Sequence, residues 1–367
     1  MHFTTTKEKI LNAILVAERV VGKKESLPVL SCILLDVGRE LSVRSTNLEA
    51  GVDMAVLGDV TEKGIIAVPA SILSQTLRSV SGDKVTLRTE GANLLIESRG
   101  SKTLIKAIPH DEFPTIAAAG KDGARKLDIS RTTLMQSLQS VAYAASTSMI
   151  RPELGSVYLS VKDGALVAVA TDSFRLAEKT ASNASGKGSD EVLIPLKHVQ
   201  EIIHIIEKLS SENISLSIDD SQLLIVADSL RFVSRVVDGN FPNYKEIIPK
   251  SFSTEATLLK GDFAEALRKA RVFSGADQHV GFHVYPKKKV FDITAQSAAI
   301  GEMSDSLEAA ITGEDIDVNF HIGYIADCLQ SIQSDSIILG FAGVGKPVVI
   351  RGVSDSTFTY LAMPLNR

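Results

Sequence analysis

A three-fold internal repeat constrains the fold of this chain more than any other feature of its 367 residues. Short strings typical of a helix start recur at Pro69, Pro195 and His321, and each is 126 positions from the next. Self-similarity at a fixed spacing indicates that one structural unit occurs several times along a chain. We therefore expect three units of about equal length.

A polar turn string recurs with nearly the same spacing. A Thr in a short polar string, typical of turns, stands at positions 46, 171 and 294, which are 125 and 123 residues apart. The string at Thr171 follows an apolar run that predicts a buried strand. We expect all three units to keep the turn, whereas Phe174-Arg175-Leu176 occurs only in the second. That difference indicates a binding partner beside the second unit.

Helices and hairpins recur in the same order in each unit. Helical spacing of apolar residues predicts an opening helix over Lys7–Val21, Arg131–Ala145 and Lys260–Phe273, and a second one over residues 71–80, 197–208 and 322–333. Apolar runs around short polar turns predict the hairpins Lys84–Thr89 with Asn93–Ser98, Ile214–Ile218 with Leu223–Ala227, and Ser336–Phe341 with Pro347–Gly352. This order predicts an α+β fold with antiparallel sheets and helices on one face, in three domains over residues 1–122, 123–251 and 252–367.

Charge is distributed unevenly along the chain. The net charge of −5 argues against a simple basic nucleic-acid binder. The six predicted helices nevertheless carry +4, which leaves −9 on the remaining residues. Either a few charges are segregated by chance, or the helices share a face toward an anionic partner. A positive charge this small on the helices suits salt-dependent contacts with phosphates that do not depend on base sequence.

Composition also bears on location and redox state. No apolar run approaches the 18 residues of a membrane-spanning helix, and the chain opens without a signal-peptide pattern. We therefore expect a cytoplasmic protein without membrane contact. The two cysteines, Cys32 and Cys328, lie far apart in apolar or helical patterns, so they are expected to be buried packing residues.

Three patterns resemble chemical sites but are better explained by structure. Gly340–Lys346 fits a phosphate loop, yet a Pro and an apolar strand follow where a Ser or Thr and a helix are needed, so we expect a hairpin turn. His279 and His283 on one strand would lie ~13 Å apart, too far to share a metal ion. His198 and His204 occupy different faces of a helix and are expected to face solvent or a groove. No catalytic residue, metal site or cofactor is predicted.

Several strings, taken together, are similar to one family. Leu27-Pro28-Val29-Leu30, Thr171-Asp172 with Arg175-Leu176, Asp238-Gly239 with Phe241-Pro242 and Tyr244, and the final Met363-Pro364 have the order and spacing of bacterial sliding clamps, the beta subunits of DNA polymerase III. The resemblance covers the whole chain. It implies three domains of the DNA clamp fold and a head-to-tail homodimer that closes into a ring. Sheets would lie outside, and twelve helices would line a hole for duplex DNA.

The resemblance also implies a non-enzymatic role in processive DNA replication. A cleft between the second and third domains would bind short peptides of the polymerase III catalytic subunit, the clamp loader, other polymerases and repair proteins. Matched by motif, the cleft comprises Arg151, Leu154, Thr171, Ser173, Phe174, Arg175, Leu176, Pro242, Ile247, Val344, Pro347, Leu361, Ala362, Met363, Pro364 and Leu365. Arg175 would flank the pocket, and Leu154, Leu176, Ile247, Leu361 and Met363 would line it.

Three departures from the family pattern affect this cleft. Ser173-Phe174 stand where members often have Gly and His, and Pro152 stands where an aromatic residue is common. The chain also ends in the polar Asn366-Arg367. The peptide preference is therefore open, whereas the implied role is unchanged.

The resemblance matches DNA contacts to Lys24, Arg78 and Lys197, and helix placement adds Lys23, Arg131, Arg268 and Lys269. It also implies a ring interface in which Leu104 and Ile105, on the Leu104–Lys106 strand, meet Val272 and Phe273 of the other copy. Ordinary core packing is the alternative explanation for these residues. Two rival classes stay open on the residues alone. One is a three-domain enzyme with a nucleotide at the glycine-rich turn, and the other is a repeat-built scaffold unrelated to DNA.

Overall fold

The computed structural model describes residues 1–22, 27–116, 125–148, 150–162, 164–182, 185–186, 190–219 and 221–365. Lys23 and Lys24, two of the predicted DNA contacts, lie outside the described residues. The chain divides into two compact units: unit 1 contains residues 1–135, 184–190 and 197–238, and unit 2 contains residues 136–183, 191–196 and 239–367. No helix in the described ranges is long and apolar enough to cross a membrane.

Among the residues that the structure describes, each third of the chain contains nine strands and two α-helices in one common order, which confirms the predicted repeat. The first repeat contains β1 (His2–Thr6), α1 (Lys7–Ala17), β2 (Cys32–Val37), β3 (Leu41–Thr46), β4 (Ala50–Val56), β5 (Asp59–Glu62), β6 (Gly64–Pro69), α2 (Ala70–Ser79), β7 (Lys84–Glu90), β8 (Asn93–Ser98) and β9 (Ser101–Ile105). The second contains β10 (Arg125–Ser130), α3 (Arg131–Val141), β11 (Ser156–Lys162), β12 (Ala165–Thr171), β13 (Arg175–Ser182), β14 (Ser185–Gly186), β15 (Asp190–Pro195), α4 (Leu196–Glu207), β16 (Asn213–Ile218), β17 (Gln222–Ala227) and β18 (Leu230–Arg235). The third contains β19 (Thr254–Leu259), α5 (Lys260–Phe273), β20 (His279–Tyr285), β21 (Val290–Ser297), β22 (Gly301–Ser306), β23 (Ala309–Gly313), β24 (Ile316–His321), α6 (Ile322–Asp327), β25 (Ser336–Phe341), β26 (Val348–Gly352) and β27 (Phe358–Ala362).

The strands of the described ranges form four sheets, two in each unit. Unit 1 has a five-stranded sheet of order β5-β1-β7-β8-β9 and a nine-stranded sheet of order β14-β10-β16-β17-β18-β4-β3-β2-β6. Unit 2 has a nine-stranded sheet of order β15-β11-β12-β13-β27-β26-β25-β19-β23 and a four-stranded sheet of order β22-β21-β20-β24. Every repeat therefore supplies a five-stranded half-sheet and a four-stranded half-sheet. Each nine-stranded sheet joins one half of each kind from consecutive repeats.

In each nine-stranded sheet, one pair of strands connects the two half-sheets, and we call this pair a joint. The two joints have the same register. In unit 1, β18 pairs antiparallel with β4 and places Val233 opposite Gly51. In unit 2, β27 pairs antiparallel with β13 and places Leu361 opposite Leu176. The two pairs are equivalent by repeat, since Gly51 and Leu176 pair with Thr46 and Thr171 in the preceding strands. The joint is therefore a repeated structural feature of this fold.

The helices follow the predicted pattern, but several are shorter than predicted. Helix α5 has the predicted bounds, whereas the helices predicted to end at Val21 and Ala145 give way to single 3₁₀ turns over Glu18–Val20 and Ala142–Ala144. Tighter i→i+3 bonds in such a turn satisfy carbonyl groups that the end of an α-helix leaves free. The last helix ends in the same way, at Cys328–Ser331.

Most of the local predictions are confirmed. The three predicted hairpins pair as β7–β8, β16–β17 and β25–β26. The glycine-rich segment before Pro347 connects the last pair as a hairpin turn, which excludes the strand–helix geometry of a phosphate loop. Both cysteines are buried, with no exposed surface. His279 and His283 lie on β20, as expected.

Two predictions are wrong. Thr294 does not begin a turn: it lies within β21, and its hydroxyl is 2.9 Å from Nε2 of His283. The pairing of β20 with β24 shows that Thr294 is equivalent to Arg44 of the first repeat. The turn of the third repeat therefore comes later, after Ser297. His198 does not face solvent or a groove. It is 2% exposed, and its Nδ1 lies 2.8 Å from Oγ of Ser234 within the joint of unit 1.

Candidate functional site

The turn between β12 and β13 is built by short polar side chains. The hydroxyl of Thr171 donates to the carbonyl oxygen of Arg175 at 2.6 Å and accepts from the amide of Ser173 at 3.2 Å. The carboxylate of Asp172 accepts from the amides of Phe174 and Arg175 at 2.9 and 3.0 Å. Ser173 takes a φ of 80°, which is unusual for a residue with a Cβ atom. This geometry holds the next side chains, Phe174 and Arg175, at the end of the sheet.

The first repeat forms the same turn with different side chains. Thr46 donates to the carbonyl oxygen of Ala50 at 2.8 Å, Asn47 accepts from the amides of Glu49 and Ala50, and Leu48 has a φ of 74°. The strand that follows is tied to the turn in both repeats, by a bond from Arg235 to Glu49 and another from Met363 to Phe174, each 2.8 Å long. The turn therefore belongs to the fold, while Phe174 and Arg175 are not required by it.

Arg175 is held by groups from two repeats within unit 2. Its Nε donates to Asp172 at 3.0 Å, and its Nη1 donates to Asp327 of α6 at 2.6 Å. The guanidinium carbon lies 4.5 Å from the ring centre of Tyr324, a cation–π distance. The Arg175 side chain is 13% exposed, whereas that of Asp327 is 43% exposed. Arg175 is therefore fixed in one position, and the carboxylate of Asp327 is the accessible charge.

A small apolar core underlies this end of the sheet. Val169, Leu176, Val349 and Leu361 are buried together with Tyr244. The hydroxyl of Tyr244 donates to Glu178 at 2.5 Å. Burial, and then this bond to a carboxylate, raise the pKa of Tyr244 well above its usual value. The ring is consequently a neutral, fixed wall for the segment that follows it.

Apolar side chains around this core stay exposed. The exposed fractions are 60% for Phe174, 53% for Ile247, 79% for Val344 and 36% for Met363. Three of them lie at strand ends that meet at one end of the sheet: Phe174 precedes β13, Met363 follows β27, and Val344 is in the turn between β25 and β26. We call these four residues the apolar rim. Single exposed apolar residues are ordinary, but several at one end of a sheet indicate a candidate binding surface.

The other predicted cleft residues take several positions in unit 2. Leu154, Thr171, Leu176, Pro347, Leu361 and Ala362 are buried, Pro242, Pro364 and Leu365 are half-buried, and Ser173 and Arg151 are exposed. Arg151 pairs with Glu153 at 2.9 Å. The amide of Leu365 donates to the carbonyl oxygen of Asn319 at 2.8 Å, which fixes the last described residue. The buried members support the surface, and a partner would meet the exposed ones.

Sequence reasoning missed Tyr324 and Asp327. They lie 149 and 152 residues from Arg175, so no local pattern connects them to the turn. Their spacing of three on a helix puts both side chains on one face. That spacing, beside a predicted arginine, was the only available signal.

The predicted DNA contacts differ in their availability. Arg78, Lys197 and Arg268 are exposed. Lys269 pairs with Glu265 at 3.0 Å and with Asp305 at 3.1 Å, so its charge is balanced within unit 2. Arg131 is half-buried and lies 3.8 Å from Glu212. Of the predicted DNA contacts that the structure describes, these three are the exposed ones.

The predicted interface residues lie near two sheet edges. Leu104 is 51% exposed on β9, an edge strand of unit 1, whereas Ile105 is 4% exposed and already packs inside that unit. Val272 is 61% exposed and Phe273 is half-buried, at the end of α5. Strand β22, which contacts α5, is an edge strand of unit 2. In the described part of the chain, both edges are thus available for pairing.

The fold is that of a three-domain DNA clamp. The crystal structure of the DNA polymerase III beta subunit from Thermotoga maritima is similar to it with a TM-score of 0.95 and 25% identity, over 100% of this chain and 99% of that one. Domain profiles of the DNA polymerase III beta subunit match residues 1–117 (N-terminal domain), 128–243 (central domain) and 245–366 (C-terminal domain). The chain belongs to the DNA polymerase III beta subunit family, the beta sliding clamps.

Curated relatives agree over the full length. The beta sliding clamp of Pseudomonas aeruginosa is 25% identical over 369 residues, covering 100% of both chains. That of Staphylococcus epidermidis is 23% identical over 376 residues, covering 100% of this chain and 99% of the relative. The family consists of processivity factors rather than catalysts, so the rival enzyme and the unrelated scaffold are excluded.

Proposed function

We propose that two copies of this chain close head to tail into a ring around duplex DNA, in the cytoplasm. The ring tethers the polymerase III catalytic subunit by docking a peptide on the apolar rim. The clamp loader, other polymerases and repair proteins use the same surface. The observation that carries ring closure is the shared register of the two joints, together with the two edges that are left over.

The leftover edges are equivalent to edges that already pair. Strand β9 occupies the place of β18 and β27 in its half-sheet, and β22 occupies the place of β4 and β13. One copy thus retains a five-stranded half ending in β9 and a four-stranded half ending in β22. If β9 of one copy pairs with β22 of another, the same joint is made a third time. Two such contacts complete a closed, symmetric ring.

The register of the proposed joint follows from the repeat. Leu104 and Val233 each stand three residues after the residue that closes a two-residue turn. Val233, which pairs with Gly51 in the joint of unit 1, is 8% exposed, whereas Leu104 is 51% exposed. The counterpart of Gly51 in β22 is Glu302, since Asp53 and Ser304 hold equivalent pairing positions. Leu104 of one copy is therefore expected opposite Glu302 of the other, with Lys102 diagonal to Glu302.

The ring can be tested by cross-linking. Leu104→Cys and Glu302→Cys on one chain should join into a covalent dimer in solution, since facing strand residues come within disulfide reach. A matched pair, Leu104→Cys with Ser306→Cys, shifts one cysteine four residues along β22 and should link poorly. Native mass should be about twice 39.3 kDa before any cross-link forms. A monomer at micromolar concentration would contradict the ring.

Peptide docking is supported by the comparison of the two turns. The hydrogen bonds of the turn recur in the first repeat, where Glu49 and Arg235 stand in place of Phe174 and Met363. The fold therefore tolerates charged residues at both positions, and the apolar pair in unit 2 has another use. An apolar group around a buried core suits a peptide with aliphatic and aromatic anchors.

The docking surface can be tested by removing one side chain from each side of it. Arg175→Ala combined with Met363→Ala should weaken a fluorescent peptide with Leu and Phe anchors at least tenfold and leave the dimer intact. The matched control is Arg235→Ala, at the equivalent place in unit 1, which should bind the peptide normally. Unchanged affinity in the double variant would show that the surface has been wrongly assigned.

A further inference from the structure

Ionisable side chains adjoin the apolar rim. Arg175 is the one cation of the turn, and it is paired with Asp172 at 3.0 Å and with Asp327 at 2.6 Å. Two carboxylates around one guanidinium leave the group with a net charge of −1. The uncompensated charge is located at Asp327, because its side chain is 43% exposed while those of Asp172 and Arg175 are 14% and 13% exposed.

His321 lies close to this group of charges. The ring of His321 stacks on that of Tyr324, with ring centres 4.3 Å apart, and His321 lies directly across from His279 in the sheet. Burial, and then the cation of Arg175, lower the pKa of His321, although Asp327 opposes the shift. His321 therefore carries less positive charge at pH 7 than an ordinary histidine would. The group keeps its negative charge where a partner would bind.

Asp327 has an oxygen free for a ligand. Its Oδ2 accepts from Arg175, and Oδ1 has no hydrogen-bond partner among the residues the structure describes. Arg175 itself is turned toward the Tyr324 ring and both of its carboxylate partners. A peptide on the apolar rim consequently meets an accessible carboxylate rather than a guanidinium. A carboxylate can accept from an N–H group, but it repels another carboxylate.

We infer that Asp327 selects, among peptides with apolar anchors, those that carry a lysine or arginine beside the anchors, and disfavours those with an acidic residue there. The inference rests on the proposed peptide docking and names the chemistry of the partner. The apolar rim supplies most of the affinity, and Asp327 sets the sign of the charge preference. Charges at the rim of an interface change specificity more than raw affinity.

A peptide series that differs in one residue tests this inference. Nine-residue fluorescent peptides with two Leu and one Phe carry Lys, Gln or Glu directly before the anchors in one set, and directly after them in another. Fluorescence anisotropy at low salt should show the Lys peptide of at least one set binding about fivefold more tightly than its Glu counterpart, as expected for a half-exposed pair. The gap should shrink at high salt, because exposed charges are screened.

Two variants assign the preference to Asp327. Asp327→Asn removes the charge and frees Arg175, so the Lys peptide should lose its advantage and the Glu peptide should bind more tightly. Asp327→Glu keeps the charge and should retain the preference, and Asp335→Asn, an exposed residue of unit 2, should leave it unchanged. Equal affinity for the Lys and Glu peptides in both sets, or a preference that survives Asp327→Asn, overturns the inference. Failure of all the peptides to bind defeats the proposed docking and the inference with it.

Discussion

Two equivalent turns at the joints between half-sheets each contain a residue with a strained backbone. Ser173 and Leu48 occupy equivalent turns with φ of 80° and 74°, where a Cβ atom is sterically disfavoured. Both turns persist because the Thr hydroxyl and the neighbouring Asp or Asn bond the same backbone groups. The strain is thus offset by four or five local hydrogen bonds.

Replacing Ser173 with Gly should stabilise the protein. Glycine reaches the left-handed region without a Cβ clash, so Ser173→Gly should raise the free energy of unfolding of unit 2 by ~1 kcal/mol. Ser173→Ala keeps the Cβ atom and should give no gain. Urea denaturation followed by circular dichroism measures both variants. A loss of stability in Ser173→Gly would mean that the turn is not strained.

A buried histidine, His198, and a half-buried one, His321, make stability depend on pH. Burial lowers the pKa of His198 and of His321, with the nearby Lys197 and Arg175 adding to the respective shifts. The unfolded chain therefore binds more protons than the folded one as pH falls through the ordinary histidine pKa of about 6.5. Stability should be full above about pH 7 and decrease in acid.

The pH dependence can be assigned by substitution. His198→Gln should flatten the fall of the melting temperature between pH 7 and pH 5. His204→Gln, at an exposed position of the same helix, should not. Equal slopes for the unaltered protein and His198→Gln would show that His198 does not contribute.

Strands and turns were more predictable than the contacts between them. Alternating apolar runs were enough to place the hairpins, and helical spacing gave both bounds of α5. The prediction of a turn at Thr294 was wrong. The composition around Thr294 resembles that of the turns in the other two repeats, but its position in the strand pairing differs, since β21 continues for three more residues, to Ser297. The link from Arg175 to Asp327 spans 152 residues, and the burial of His198 depends on Ser234, 36 residues away. Pattern reasoning does not reach contacts of this range.

The joint of β13 with β27 contains a buried ion pair whose loss should be costly. Nζ of Lys179 lies 3.7 Å from Asp355 and donates to Thr357 at 2.6 Å, and both charged side chains are under 10% exposed. Asp355→Asn leaves a buried ammonium without its carboxylate and should cost about 3 kcal/mol. The double variant Lys179→Met with Asp355→Asn removes both charges and should lose less. Denaturation midpoints decide between these outcomes, and equal losses would argue against a charge effect.

The repeat supports the proposed ring, in which one chain would be both a complete fold and half of an assembly. Two joints are satisfied within the chain, and the edges β9 and β22 remain for the third. A joint made between copies can open without unfolding either copy, which a ring needs if DNA is to enter. Net charge supports the same arrangement: the chain carries −5 overall while its predicted helices are mildly basic. Contacts with phosphates would then be loose enough to permit sliding.

Retention on DNA of different topology tests the ring directly. The protein is loaded onto nicked circular DNA by a clamp loader, isolated by gel filtration, and measured again after the circle is cut at one site. A topological link predicts that the protein stays on the circle at salt concentrations that screen phosphate contacts, and leaves within minutes of linearisation. Equal retention on circular and linear DNA, or equal loss from both, would contradict the account.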